Sequence, residues 1–214
     1  HTFTKLPDTL LYNRYVDDIV MINTSRCNMD AVQVLFEDSL TALGLEENKD
    51  KGYSLSNAEW RAGLGFEYLG YTFTHTDNEI KVRIADKKLK RIKTRITLAF
   101  KDFVKTGDEQ MLFDRMQFLS CISFVKSSSL RKVKVGLPAN YSATTDSDSF
   151  KEIDIYYQNI LHCKNGTFGH NLQLALSALY RDKLKRISFA HCYESRIRRK
   201  FSGARIHKLK DCWR

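Results

Sequence analysis

Two neighbouring carboxylates, Asp17 and Asp18, interrupt an apolar, β-branched run that extends from Thr9 to Ile22. Strands that bury both flanks of a paired acid would hold charge away from water, which is costly unless something offsets it. A divalent cation is the common offset, and phosphoryl transfer the common chemistry. The pattern predicts a tight hairpin, Thr9 to Tyr15 and Ile19 to Asn23, with the acids at or next to its turn. Adjacent residues on a strand face opposite sides, so a turn is where both carboxylates can approach one metal site. An exposed Asp-Asp turn is the plainer reading of the dipeptide alone. The apolar flanks and Tyr15, two residues before Asp17, argue against it.

The 214 residues, 43% hydrophobic with only 2 prolines and 10 glycines, suffice for one medium domain or two small ones without long low-complexity linkers. There is no run of eighteen apolar residues and no basic-then-apolar leader, which predicts a soluble, unsecreted chain with no membrane partner. Five cysteines without a C-x-x-C pair fit reduced thiols in the cytoplasm. The net charge of +10 is unevenly spread: residues 1–80 hold 6 Lys/Arg against 13 Asp/Glu, the remainder 29 against 12. An acidic part with catalytic-looking carboxylates joined to a basic part suits work on a polyanion, although a solvated basic face is the ordinary alternative.

Beyond the hairpin, Asp30 is a candidate N-cap for a helix carrying Val32, Leu35, Leu40 and Leu43, stopped by Gly44. Residues 46–52 read as a loop and Tyr53 to Leu55 as a short strand. Phe66 to Thr74 and Ile80 to Ile84 read as a second hairpin. From Asp86 the period turns helical, with Leu89, Ile92, Ile96, Phe100 and Phe103 on one stripe and lysines and arginines on the other faces. Gly107 ends that helix. Another is expected from about 109 to 125, then an extended segment at 132–137, a polar loop at 142–149, and helices at 150–162 and 171–200.

Tyr15-Val16-Asp17-Asp18 resembles the Tyr-x-Asp-Asp motif of reverse transcriptases, and further elements follow in that family's order. Gly44-Leu-Glu-Glu-Asn-Lys-Asp-Lys51 resembles the segment after the palm helix, whose lysine is thought to protonate departing pyrophosphate. Lys51 matches that position, with Lys49 as a substitute; Glu47 and Gly52 depart from the usual residues. Tyr68-Leu69-Gly70-Tyr71 resembles the primer grip, and the basic helix 86–105 looks like the first thumb helix, which tracks phosphates without reading sequence. The resemblance spans residues 9–105. More loosely, 116–120 followed by 132–136 is similar to the post-thumb segment of bacterial abortive-infection and unknown-group reverse transcriptases, relatives of retron and group II intron enzymes.

The resemblance implies an α+β fold: a partial polymerase palm (residues 1–80, β-hairpins plus helix), a helical thumb (81–137) and a basic, mainly helical C-terminal region (138–214). It implies RNA-directed DNA polymerase activity in antiviral defence, with dNTP, DNA and RNA as partners. Asp17 and Asp18 are the implied ligands of two Mg²⁺ ions, with Mn²⁺ as a substitute, and Lys51 joins them as catalytic. Tyr15, Val16, Leu69, Gly70, Tyr71, Lys87, Arg91 and Arg95 are the implied contacts to primer and nucleic acid. The family's other metal-binding aspartate lies upstream of this motif. Fingers and the rest of the palm are therefore expected from an N-terminal segment or another subunit, and an oligomer is one way to supply them. A catalytically silent nucleic-acid-binding subunit is the rival reading. His162-Cys163 and His191-Cys192 lack the compact spacing of a zinc site, and the basic tail (Arg196 to Lys210, with Phe201 and Trp213) suits nucleic acid or an acidic subunit.

Overall fold

In the computed structural model, residues 8–24, 27–48, 52–77, 79–126 and 132–213 are described. The chain is α+β and divides into two compact units, residues 1–69 with 73–80, and residues 70–72 with 81–214. Among the described residues no helix is long and apolar enough to cross a membrane.

In the first unit β1 (Thr9–Tyr15) pairs antiparallel with β2 (Asp18–Asn23), in a register that sets Tyr15 opposite Asp18 and Tyr12 opposite Met21. Helix α1 (Met29–Ala42) is capped by Asn28, whose side chain accepts from the Ala31 amide, so the cap lies two residues before the Asp30 expected from sequence. A short helix α2 (Asn57–Arg61) opens with a reciprocal capping box between Ser56 and Glu59. Residues 53–55, expected as a strand, are irregular. The Tyr53 hydroxyl instead accepts from the Glu67 amide at 2.7 Å. Strands β3 (Phe66–Tyr68), β4 (Tyr71–Thr76) and β5 (Glu79–Ile84) follow along the chain, with Tyr71, Thr72 and residues 81–84 belonging to the second unit. Trp60 lies 5.7 Å from the Phe66 ring and 5.9 Å from His75, and Phe66 stacks on Phe73 at 4.9 Å. This aromatic group is the main side-chain cluster of the unit, yet none of its described residues is buried.

The second unit is built on α3 (Asp86–Thr106), whose stripe Leu89, Ile92, Ile96, Ala99, Phe100 and Phe103 is buried as the period predicted. Gly107 closes it in the left-handed conformation. Helix α4 (Glu109–Ser120) follows, ending five residues before the expected stop. The chain then turns into β6 (Ser123–Lys126), paired antiparallel with β7 (Lys132–Val135). After α5 (Leu137–Asn140) and α6 (Asp148–Leu161) comes a stretch expected as one helix, which is three: α7 (Gly166–Ala175), α8 (Ala178–Lys185) and α9 (Phe189–Glu194). Ser177 and Ser188 restart the backbone as N-caps, accepting from Tyr180 and His191 amides. Helix α10 (Gly203–Lys210) and a 3₁₀ turn at Asp211–Trp213 complete the chain.

One cluster of buried side chains unites α3 and α4 with Phe150, Ile153, Tyr157 and Leu161 of α6, Leu184 of α8 and Phe189 of α9. The segments 81–137 and 138–214 thus share a core. Polar contacts tie its parts together: the Tyr157 hydroxyl donates to the Leu184 carbonyl at 2.9 Å. Asp154 of α6 accepts from the Ser188 hydroxyl and from the Phe189 and Ala190 amides, anchoring the start of α9. Buried Arg115 ion-pairs with Asp102 and donates to the Leu209 carbonyl. The Trp213 indole donates to the Arg95 carbonyl, fastening the last turn to the middle of α3.

Candidate active site

The two-residue connection Val16-Asp17 brings β1 and β2 together without a glycine. Val16 takes a φ of 58°, the left-handed value that the first central residue of a primed hairpin turn needs and that a β-branched side chain resists. The Arg14 guanidinium donates to the Val16 carbonyl at 2.7 Å, holding the turn closed. Strain of this kind typically costs roughly 1–3 kcal/mol and persists where the surroundings impose it, which makes the turn a functional candidate. Asp17 occupies the turn and Asp18 opens β2, so the hairpin presents two hard-oxygen donors from one tip.

Burial is where the sequence reading needs correction. Asp17 and Asp18 are both exposed. So are their flanks: Leu10 is 69% exposed and Val16 71%. The charges keep their hydration, and their mere presence therefore demands no cation. Alternation did identify the strands; what it could not supply is a surface to cover them. Among the described residues no group of three His, Cys, Asp or Glu is placed to hold a metal. Two carboxylates nonetheless fit Mg²⁺, which is held through one or two carboxylates plus substrate phosphates rather than by a full protein cage.

The connection Leu69-Gly70 joins β3 to β4 with φ of 50° and 83°, positive at both central residues as a type I′ turn requires. Gly70 is there for conformation; a Cβ would lie 2.8 Å from Cε of Lys88, a flexible chain end that can move aside. The Gly70 carbonyl accepts from the Ala85 amide at 3.0 Å. Tyr71 donates to the Asn140 carbonyl at 3.1 Å and meets Tyr141 edge-on, centroids 5.8 Å apart. Burial raises the pKa of both phenols, and the positive charges of Arg95 and Arg91 work against that rise at Tyr141. The second unit therefore brings together Gly70, Tyr71, Tyr141 and the early turns of α3.

On α3, Lys87, Arg91 and Arg95 recur every four residues and are all exposed, forming one cationic stripe. Like charges at this spacing repel by a few tenths of a kcal/mol per pair. A shallow groove on the same helix is lined by Lys90, Lys93, Thr94, Lys101 and Tyr156, among others. Lys93 there is partly neutralised by Glu152 at 2.7 Å. Tyr141 and Tyr156 escaped the sequence reading because neither lies in a motif; only the packing of α5 and α6 brings them to α3.

Lys51 and its neighbour Lys49 lie outside the described residues. Tyr15, Val16, Asp17 and Asp18 belong to the first unit, as does Leu69; Gly70, Tyr71, Lys87, Arg91 and Arg95 belong to the second. Of the His-Cys dipeptides, His162 bonds the Gln158 carbonyl, and Cys192 meets Cys121, sulfur to sulfur at 3.5 Å. The hydrogen bond from Cys192, helped by Arg199, holds Cys121 down to about 6, while the same contact and burial push Cys192 up.

Comparison with protein-family models, with curated proteins and with solved structures found no match to this chain.

Proposed function

We propose that this chain is the palm-and-thumb part of a reverse transcriptase-type DNA polymerase. The observation that carries this reading is the hairpin tip, where Val16 is held at a φ of 58° between Tyr15 and the Asp17-Asp18 pair. A β-branched residue in that conformation, beside two carboxylates at a solvent-facing turn, is an arrangement that folding alone does not favour. The I′ turn at Leu69-Gly70 and the cationic stripe of α3 support it, because they follow in the order of the family that the motif resembles.

In this reading Tyr15 and Val16 support the 3′ end of the growing strand, and the Leu69-Gly70 turn lets backbone approach it closely. Lys87, Arg91 and Arg95 neutralise phosphates and hold register without reading bases. Asp17 is the principal metal ligand and Asp18 assists by its charge. Bound Mg²⁺ would acidify the primer hydroxyl and steady the negative charge of the leaving pyrophosphate. Lys51 is the proposed proton donor to that pyrophosphate, on the resemblance alone. A third carboxylate, from an N-terminal palm segment or another subunit, is required to complete the site. Antiviral DNA synthesis in the cytoplasm is the biological setting the looser resemblance suggests.

The test is Mg²⁺-dependent dNTP incorporation by the intact enzyme. Asp17→Asn should abolish it while the circular dichroism spectrum and melting temperature stay unchanged; undiminished incorporation refutes the assignment. The rival, a silent nucleic-acid-binding subunit, is favoured by the exposure of both carboxylates. It predicts salt-sensitive binding to DNA or RNA with no incorporation by any intact assembly.

A further inference from the structure

The β6–β7 hairpin has two unlike faces. Val125 and Val135 pack inward, against the small cluster of Phe118, Ile206 and Leu209. The period of two then turns Phe124, Lys132 and Lys134 outward, and the register sets Lys134 opposite Phe124. Both lysines are exposed, and the Phe124 ring is 37% exposed.

A third strand-like segment extends this face. Ile122 donates its amide to the Ile197 carbonyl at 2.8 Å, and Arg199 donates to the Ile122 carbonyl at 2.9 Å. These bonds make a parallel bridge that places Arg198 beside Ile122. Ile122 and Phe124 are two residues apart, so Arg198 falls on the same side as Phe124 and Lys134. Phe201 turns in to meet Phe118, centroids 5.9 Å apart, and leaves Lys200 exposed.

Lys132, Lys134 and Arg198 thus share one side of the strands with a partly open aromatic ring, and Lys200, two residues beyond Arg198, is exposed. None of Lys132, Lys134, Arg198 and Lys200 takes part in an ion pair recorded among the described residues. Elsewhere in this unit several acids are matched to cations: Asp146 and Asp148 to Lys81, Asp114 to Arg205, Asp102 to Arg115. Like charges side by side on a sheet oppose folding, and a bound polyanion would relieve them.

We propose that this face binds single-stranded nucleic acid, with the cations on phosphates and the Phe124 ring stacked on a base. An aromatic among cations on a narrow strand face suits a base and its backbone. An anionic membrane would call for an amphipathic helix with a large apolar side, and this face offers one ring. The face uses none of the catalytic or primer-contacting residues of the polymerase reading, although Lys132 and Lys134 fall in the loosely similar segment 132–136 and Arg198 and Lys200 in the basic tail.

The experiment is fluorescence anisotropy of a labelled oligothymidylate and a labelled oligouridylate with the full chain, titrated at several salt concentrations. Lys132→Glu with Lys134→Glu should weaken binding more than tenfold at low salt. The same pair should flatten the logarithmic salt dependence by about 1.4, two phosphates at ~0.7 each for a single strand. Phe124→Ala should weaken binding at least fivefold with the slope unchanged, since stacking carries no counterion. Lys164→Glu, an exposed lysine between α6 and α7 with no part in this face, should bind like the parent. A measurement on the parent protein guards against misfolded variants: acetylation of Lys132 and Lys134, read by mass spectrometry, should slow when oligonucleotide is present. Unaltered acetylation, or variants that bind as the parent does, overturns the proposal. So does binding to anionic vesicles in the absence of any oligonucleotide binding.

Discussion

The two units spend their apolar residues differently. In the second, Ile96, Ala99, Phe100, Phe150, Ile153 and Tyr157 are sealed from water entirely. In the first, no described residue is buried, although β1, β2 and α1 carry apolar patterns of their own. Leu10, Leu11, Ile22, Val34 and Leu43 all remain open. A pattern states which side chains seek cover; it does not contain the cover. The first unit has its local structure set by caps, turns and strand pairing, and the second has its structure set by a core.

The contrast can be broken most directly by deleting large side chains. Phe100→Ala should cost about 3–5 kcal/mol in denaturant unfolding of the second unit. Val34→Ala, on exposed helix, should change stability by less than about 0.5 kcal/mol. Equal losses at the two positions would mean that Val34 is covered in solution. Next in size is Arg115→Ala, which leaves Asp102 and the Leu209 carbonyl without their partner and should cost about 2–3 kcal/mol, since Asp102 stays partly hydrated. Tyr157→Phe removes one buried hydrogen bond and should cost about 1 kcal/mol.

A pH measurement sharpens the picture of the second unit. Cys121 is held at about 6 in the fold, by the Cys192 hydrogen bond foremost, and titrates near 8.5 when unfolded. The folded state thus binds fewer protons than the unfolded one between those values. Stability gained from the Cys121 thiolate is complete above about 8.5 and is lost as pH falls through about 6. Unfolding in reductant at pH 6 and pH 8 should show the rise, and Cys121→Ser should flatten it. The smallest effect lies in the first unit. Val16→Gly relieves the left-handed backbone and should slow amide exchange across β1 and β2 slightly, where glycine in an ordinary turn residue's place would speed it.

Local chemistry made several elements legible. The stripe at Leu89, Ile92, Ile96, Phe100 and Phe103 announced α3, Gly107 its end, and alternation the strands around Asp17. The failures had non-local causes. Apolar residues at 118, 119, 122 and 125 continue a helical spacing past Ser120, but the Ile122 backbone is claimed by Ile197 and Arg199, more than seventy residues away. Leu172, Leu176 and Leu179 keep helical spacing across a break that Ser177 imposes through its own hydroxyl. At the candidate site, the Asp pair and the Leu69-Gly70 turn were visible as residue types, whereas the joining of Tyr71 with Tyr141 and α3 required the packing of α5. The exposure of both carboxylates matches the plainer reading of the dipeptide, which the apolar flanks had argued against.

The chain holds two indoles, and each sits in a different unit: Trp60 among Phe66 and His75, Trp213 bonded to the Arg95 carbonyl. Nature has in effect labelled the halves with separate fluorophores. A Trp213→Phe protein emits only from the hairpin-bearing half, and a Trp60→Phe protein only from the half built on α3. Melting the two side by side reads out whether they lose structure at one temperature or at two.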